Sequence, residues 1–219
     1  MRKTLLIAAS VVALASAGAA SATITIYTDE ASYLAAISDA GVDSYDDLAL
    51  TSLGTSLNRT AGSHSYTVSA SNQLYGAGSG SDHWLSTNTA TDPILFSNFS
   101  AGVVGFGGLF FTSDISGFYM PGTVTLTVED AGQELAYSIP GSTTSSFVGF
   151  VSSTGILNVT LAATQPQSGF AWPTANNLTL GAAAAAPVVP EPATWAMMIG
   201  GFALVGAAMR GRVARAALV

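Results

Sequence analysis

Short stretches of strict apolar–polar alternation recur along this chain, and they predict a body built of β-strands. Thr23-Ile24-Thr25-Ile26-Tyr27 alternates and reads as a first strand. Thr28 or Asp29 can then cap a short helix through Ile37, with Ala31, Leu34, Ala35 and Ile37 on one side and Gly41 past its end. The clearest hairpin comes later. Val124, Leu126 and Val128 alternate with threonines, Asp130-Ala131-Gly132 turns beside Glu129, and Leu135, Tyr137 and Ile139 alternate back to Pro140-Gly141. Leu157, Val159 and Leu161 mark another strand.

Two segments depart from alternation. Val103–Phe111 and Phe147–Val151 are nearly continuous apolar runs, the pattern of strands covered on both faces or central in a sandwich, and their glycines suggest bulges or close backbone approach. Several short strands separated by Gly, Ser, Asn and Pro imply two packed antiparallel sheets. The expected fold class is therefore all-β, an antiparallel β-sandwich or jelly roll with one short N-terminal helix. Residues 52–92 are dominated by Ser, Thr, Asn and Gly and read as a long loop, with Gly76-Ala77-Gly78-Ser79-Gly80-Ser81 as a flexible spacer. Such a loop at a sandwich edge is a natural rim for a binding site.

The ends change the picture. Arg2 and Lys3 precede an apolar stretch, and Ala20-Ser21-Ala22 gives the small-x-small pattern of signal peptidase cleavage before Thr23. At the other end Pro190-Glu191-Pro192 leads into Trp195, a short apolar run to Met209, and then Arg210, Arg212 and Arg215. That run is barely long enough to cross hydrocarbon, and its arginines would stay cytoplasmic under the positive-inside rule. The expected organisation is a signal peptide at 1–22, a sandwich domain at 23–181, an Ala/Pro linker at 182–189 and a tail with a transmembrane helix at 190–219.

Between Thr23 and Val189 the only basic residue is Arg59, set against twelve acids, a formal charge near −11. Phosphate backbones bind through Lys and Arg, so nucleic acid is excluded as a partner. The absence of cysteine removes disulfides, thiol catalysis and Cys-ligated zinc. The domain must then stand on its core, and a chain of its size buries roughly 68–70% of its unfolded surface.

The order and spacing of Pro190-Glu191-Pro192-x-x-Trp195-Ala196-Met197-Met198-Ile199-x-Gly201-Phe202, with the apolar helix and basic end, resembles the PEP-CTERM proteins, in the subgroup whose tail reads Pro-Glu-Pro-x-x-Trp-Ala. The resemblance covers about thirty residues. It implies a Gram-negative exported protein, anchored transiently in the inner membrane and handled there by a Cys-dependent exosortase, in genomes that make an extracellular polysaccharide. It also implies Pro190, Glu191 and Pro192 as the sorting motif and Arg210, Arg212 and Arg215 as the retention signal. The arginines here are interleaved with Gly211, Val213 and Ala214, looser than a tight block. The middle resembles sandwich domains of that family more weakly, at Phe147–Phe150, Gly155–Leu161 and Gly169 to Leu180. Members carry an Asp-Asn pair near the last stretch, where this chain has Asn176-Asn177.

Candidate chemistry is sparse. Asp82-His83-Trp84 joins a carboxylate, an imidazole and an indole, and His64 is the one other histidine, but neither a nucleophile elbow nor a metal-type histidine spacing occurs. No catalytic residue is assigned. Asp43, Asp46 and Asp47 offer oxygen ligands to calcium or an acid pair to a glycosidase, or else form a solvated turn after the helix. Trp84 and Trp172 are the candidates for stacking on a sugar ring, with core packing as their commoner fate, and Tyr75 is a lesser one. The function expected is a non-enzymatic surface or extracellular-matrix protein associated with exopolysaccharide and needing no cofactor. The rival classes are a carbohydrate-active hydrolase and a calcium- or glycan-binding module.

Overall fold

A computed structural model describes residues 22–185, 195–203 and 205–206. Residues 22–184 form one compact unit, and the helical residues 195–203 and 205–206 belong to another. Among the described residues no helix is long and apolar enough to cross a membrane. Of the sorting and cleavage residues, Ala20, Pro190, Glu191, Pro192, Arg210, Arg212 and Arg215 lie outside the described residues. Trp195 opens the described helix and is exposed.

Among its described residues the first unit is antiparallel β with one short helix. In chain order the elements are β1 (Ile24–Tyr27), α1 (Glu30–Ala36), β2 (Ile37–Asp43), β3 (Ser52–Ala61), β4 (His64–Ser79), β5 (Asp82–Thr87) and β6 (Ile94–Ser97). There follow β7 (Val103–Ser113), β8 (Tyr119–Met120), β9 (Gly122–Asp130), β10 (Glu134–Ser142), β11 (Phe147–Ser152), β12 (Ile156–Thr164) and β13 (Trp172–Ala183). The pairing path runs β1-β11-β7-β13-β5-β4-β6-β12-β9-β10, with β2 added on β13, β3 on β4 and β8 on β7. Its two halves fold face to face. Phe106 of β7 meets Phe96 of β6 edge-on at 5.1 Å, and Phe150 of β11 meets Tyr137 of β10 at 6.5 Å. Phe110, Val148, Leu178 and Leu180 from one sheet and Val68, Ile94, Leu126 and Leu161 from the other complete a nearly closed sandwich core.

The predicted helix forms on its Asp29 cap, whose carboxylate accepts from Ser32 N at 2.8 Å. It buries Tyr33 but leaves the expected inward residues Ala31, Leu34 and Ala35 exposed, and Gly41 lies inside β2. The buried Tyr33 explains the glycines of the two apolar strands. A Cβ at Gly149 would lie 2.7 Å from Tyr33 Cγ, and one at Gly107 would lie 3.0 Å from Cε1. The strands are bare there because a ring lies on them, and its hydroxyl donates to Thr179 O at 2.9 Å.

The turn at Asp130 also forms as expected. Asp130 Oδ1 accepts from Gly132 N and Gln133 N, both at 2.9 Å, and Oδ2 accepts from Ser152 Oγ at 2.8 Å. Burial works against that carboxylate, but these bonds hold it below the usual carboxylate range. Pro140 is tolerated because β10 is a terminal strand of the path, where a missing N–H costs no ladder bond.

Four further expectations are corrected. Residues 52–92 are no loop, since β3, β4 and β5 fill most of them; β4 alternates buried His64, Tyr66 and Val68 with Ser65, Thr67 and Ser69. The supposed spacer is the end of β4, in ladder with β5 from Gly76 opposite Leu85 to Ser79 opposite Asp82. Gly181 to Ala183 continue β13, so the domain runs past residue 181 into the expected linker. Leu157 faces solvent, because a bulge between Ile156 and Asn158 turns Ile156 inward instead.

Candidate functional site

The expected calcium ligands are brought together around a cation. Asp43, at the end of β2, is buried, and its carboxylate accepts from Arg59 Nη2 at 2.5 Å and Nε at 2.9 Å. Asp47 accepts from Nη1 at 2.8 Å and Nη2 at 2.6 Å. Tyr66 Oη donates to Asp43 Oδ2 at 2.7 Å and lies 2.9 Å from Tyr45 Oη, while the guanidinium also lies 5.4 Å from the Tyr45 ring centroid. Arg59 is therefore the internal counter-ion of this acidic corner, and its bonds lower the Asp47 carboxyl. Burial pushes both tyrosine hydroxyls up, so they act as hydrogen-bonding groups and not as acids.

Asp46 stands apart, accepting from His83 N at 3.2 Å. The solvated-turn reading thus fails for Asp43, and the shared-ligand reading fails because a guanidinium occupies the place between Asp43 and Asp47. Among the described residues no group of three or more His, Cys, Asp or Glu side chains is placed to hold a metal ion.

Asp82-His83-Trp84 splits into three structural roles. Asp82 accepts from Asn176 Nδ2 at 3.0 Å, which places a carboxylate beside the Asn-Asn pair of β13. His83 sets Nδ1 2.7 Å from Leu48 O and Nε2 3.1 Å from Gly80 O, so both ring nitrogens face carbonyls and neither is left for a substrate. His64 is buried with Nε2 2.8 Å from Asp39 O. Trp84 is only 6% exposed, packs edge-on against Phe111 at 5.2 Å, and donates from Nε1 to Gly117 O at 3.1 Å. It is a core residue with its one polar atom satisfied, not a ring offered to a sugar.

Trp172 has a different setting. It opens β13 half-buried, 6.3 Å from the exposed Phe170 ring, and lines a cleft of about 410 Å³. The other walls are Leu50 and Tyr75, the end of β4 at Gly76 to Gly78, Ser86 to Asn88 from the end of β5, Ser113 closing β7, and the following loop Asp114 to Gly117. Strands far apart in sequence converge here because β13 pairs with both β7 and β5.

The glycines of β4 allow the neighbouring chain to close in. Gly76 N donates to Thr51 O at 3.0 Å, and Gly78 N donates to Gly117 O at 3.1 Å. Beneath the cleft Ser113 Oγ lies 2.8 Å from Thr174 Oγ1, and Ser86 Oγ donates to Pro173 O at 3.0 Å. The floor is thus internally hydrogen-bonded. Two half-buried aromatic rings, the apolar Leu50 and Ile115, hydroxyl and amide groups and the Asp114 carboxylate, with no cation among the described residues, make a lining suited to a flat, uncharged, hydroxyl-rich ligand.

Among the described residues the cleft's one lining carboxylate is Asp114, so no pair of described carboxylates spans it. A shallower depression of about 710 Å³ beside the Arg59 network contains Asp43, Asp46 and Asp47, two of them bound to the guanidinium.

No protein-family model matches the chain, and no curated protein matches it. Among solved structures it is similar to the CBM22-1 xylan-binding domain from Paenibacillus barcinonensis Xyn10C, at 15% identity and a TM-score of 0.33, over 67% of this chain and 94% of that one. It is also similar to the N-terminal CBM22-1-CBM22-2 tandem domain of that protein, at 18% identity and a TM-score of 0.33, over 69% of this chain and 47% of that one. Likenesses this distant carry no argument about ligand, and the site is read from its own geometry.

Proposed function

We propose that this is an exported, non-catalytic surface or matrix protein whose sandwich binds glycan in the cleft lined by Tyr75 and Trp172. The observation that carries the reading is the cleft itself. Its volume falls within the range of small-ligand sites, roughly 300–1,000 Å³, and it pairs aromatic rings with hydroxyl and amide groups and one carboxylate over an internally hydrogen-bonded floor. A sugar ring presents C–H groups on one face and hydroxyls on its rim, and such a lining complements both. A hydrolase would need two carboxyl groups about 5–9.5 Å apart across the cleft, whereas among the described residues this lining supplies Asp114 alone. Export by signal peptidase at Thr23 and sorting by exosortase at Pro190-Glu191-Pro192 would deliver the domain to the polysaccharide-rich envelope. Affinity electrophoresis in gels containing soluble glycans tests the reading, with Trp172→Ala as the site variant. Retardation of the protein that disappears in the variant supports it.

A further inference from the structure

We propose that Asp114 makes this cleft selective for uncharged glycan chains, its Oδ2 accepting hydrogen bonds from sugar hydroxyls; this inference rests on the glycan-binding reading above. Asp114 begins the loop between β7 and β8 and lines the cleft half-buried. Its Oδ1 is committed within the loop, accepting from Ser116 N at 2.8 Å and Phe118 N at 3.0 Å. The backbone closes the same turn, with Asp114 N donating to Phe118 O at 2.8 Å and Gly117 N donating to Asp114 O at 3.0 Å. The turn is in turn fixed to the domain where Gly117 O accepts from Gly78 N and from the Trp84 indole. The carboxylate is therefore held in place before any ligand arrives, while Oδ2 has no hydrogen-bond partner among the described residues.

A prepositioned anionic acceptor beside two aromatic rings does two things at once. A hydroxyl donating to an ionised carboxylate makes a stronger bond than one donating to a neutral amide. A uronate, sulfate or phosphate group brought to the same place meets a like charge. Among the described residues nothing in the lining offsets it, because they bring no Lys, Arg or His to the cleft. The one basic residue between Thr23 and Val189, Arg59, is held by Asp43 and Asp47. The surrounding acidity of the domain acts in the same direction.

The test is affinity electrophoresis of the exported protein in EDTA, with mixed-linkage β-glucan and galactomannan as neutral probes and alginate as the acidic one. Asp114→Asn keeps an oxygen to accept from Ser116 and Phe118, and a thermal melt verifies that it folds. Wild type is expected to be retarded by a neutral probe and not by alginate. Asp114→Asn is expected to bind the neutral probe about tenfold more weakly and to lose part of the discrimination against alginate, the remainder coming from the surrounding acidity of the domain. Equal neutral-glycan affinity in wild type and Asp114→Asn would overturn the inference while leaving the glycan-binding reading intact. So would alginate binding by wild type as tight as its neutral binding, a comparison that needs no variant. Absence of wild-type binding to every probe would overturn both.

Discussion

Trp84 and Gly117 are joined by a 3.1 Å hydrogen bond from the indole nitrogen to a backbone carbonyl, linking the interior of β5 to the loop that walls the cleft. Gly117 has a φ of 80°, and a Cβ there would lie 3.0 Å from that of Ala77, so the loop can sit against β4 only without a side chain. Trp84→Phe keeps much of the packing on Phe111 and removes the bond. We expect it to cost about 1 kcal/mol of stability and to weaken glycan binding through the freed loop. Trp84→Ala leaves a cavity and should cost about 3–5 kcal/mol. Chemical denaturation of the three proteins checks the ranking, and equal midpoints for wild type and Trp84→Phe would remove the indole bond from the account.

The Arg59 network divides into a buried and an exposed half. The Asp43 side chain is 4% exposed and that of Asp47 69%. Arg59→Ala strands the buried Asp43 carboxylate and should cost roughly 3–5 kcal/mol, whereas Asp47→Ala should cost about 1 kcal/mol or less. The arginine lowers the Asp47 carboxyl in the folded protein. Its contribution is therefore complete above the unfolded carboxylate value of about 3.9 and is lost as pH falls through the lower folded value. Melting temperatures between pH 5 and pH 2 should fall less steeply in Asp47→Asn than in wild type. Calcium should leave the wild-type melt unchanged, since the guanidinium holds the oxygens it would need.

Tyr33 and Gly149 give a third test. Gly149→Ala forces a methyl group into the Tyr33 ring and should cost about 1–3 kcal/mol. In a Tyr33→Ala background the same change should cost much less, because the ring it meets is gone. A double-mutant cycle by urea denaturation reads the difference.

Much of the framework was legible from residues alone. The hairpin of β9 and β10 carried strict alternation and an Asp-Ala-Gly turn, α1 carried its Asp29 cap, and β7 and β11 carried the continuous apolar runs of covered strands. Residues 52–92 were misread because composition masked pattern. β3 turns only Leu53, Leu57 and Ala61 inward among Ser, Thr, Asn and Gly, and the alternation of His64, Tyr66 and Val68 in β4 lay inside a Ser/Thr-rich background. Gly76 is bare because the Ala49 backbone presses on it, and Gly78 because the Asp82–His83 backbone does so at a φ of 113°, which only the tertiary structure reveals.

The site was half legible. Trp172 was singled out and lines the cleft; Trp84 was singled out and is buried behind it. Tyr75, Ser86, Asp114 and Trp172 come from four separate strands or loops, so no local motif could unite them. Arg59 was a usable signal, being the one basic residue amid twelve acids, but its partners depended on how β2 and β3 meet.

Processing is open to direct observation. If export and sorting occur as proposed, mass spectrometry of protein recovered from the cell surface should give an N-terminus at Thr23 and a chain lacking the tail from about Trp195 onward. Pro190 and Pro192 restrict the backbone to extended conformations and would present Glu191 to a protease. An intact tail containing Arg215 in surface material would end the sorting proposal.

The central claim is that glycan occupies the Trp172 cleft, and calorimetric titration of wild type and Trp172→Ala with soluble neutral glycan measures it most directly. Stacking on an aromatic ring is lost in the variant, while the domain should remain folded because Trp172 is half-buried at the start of its strand. The account predicts measurable wild-type binding that falls at least about tenfold in Trp172→Ala, a loss of roughly 1.4 kcal/mol, with an unchanged response to chelator. Binding of equal strength in both proteins, or none in wild type, would contradict it.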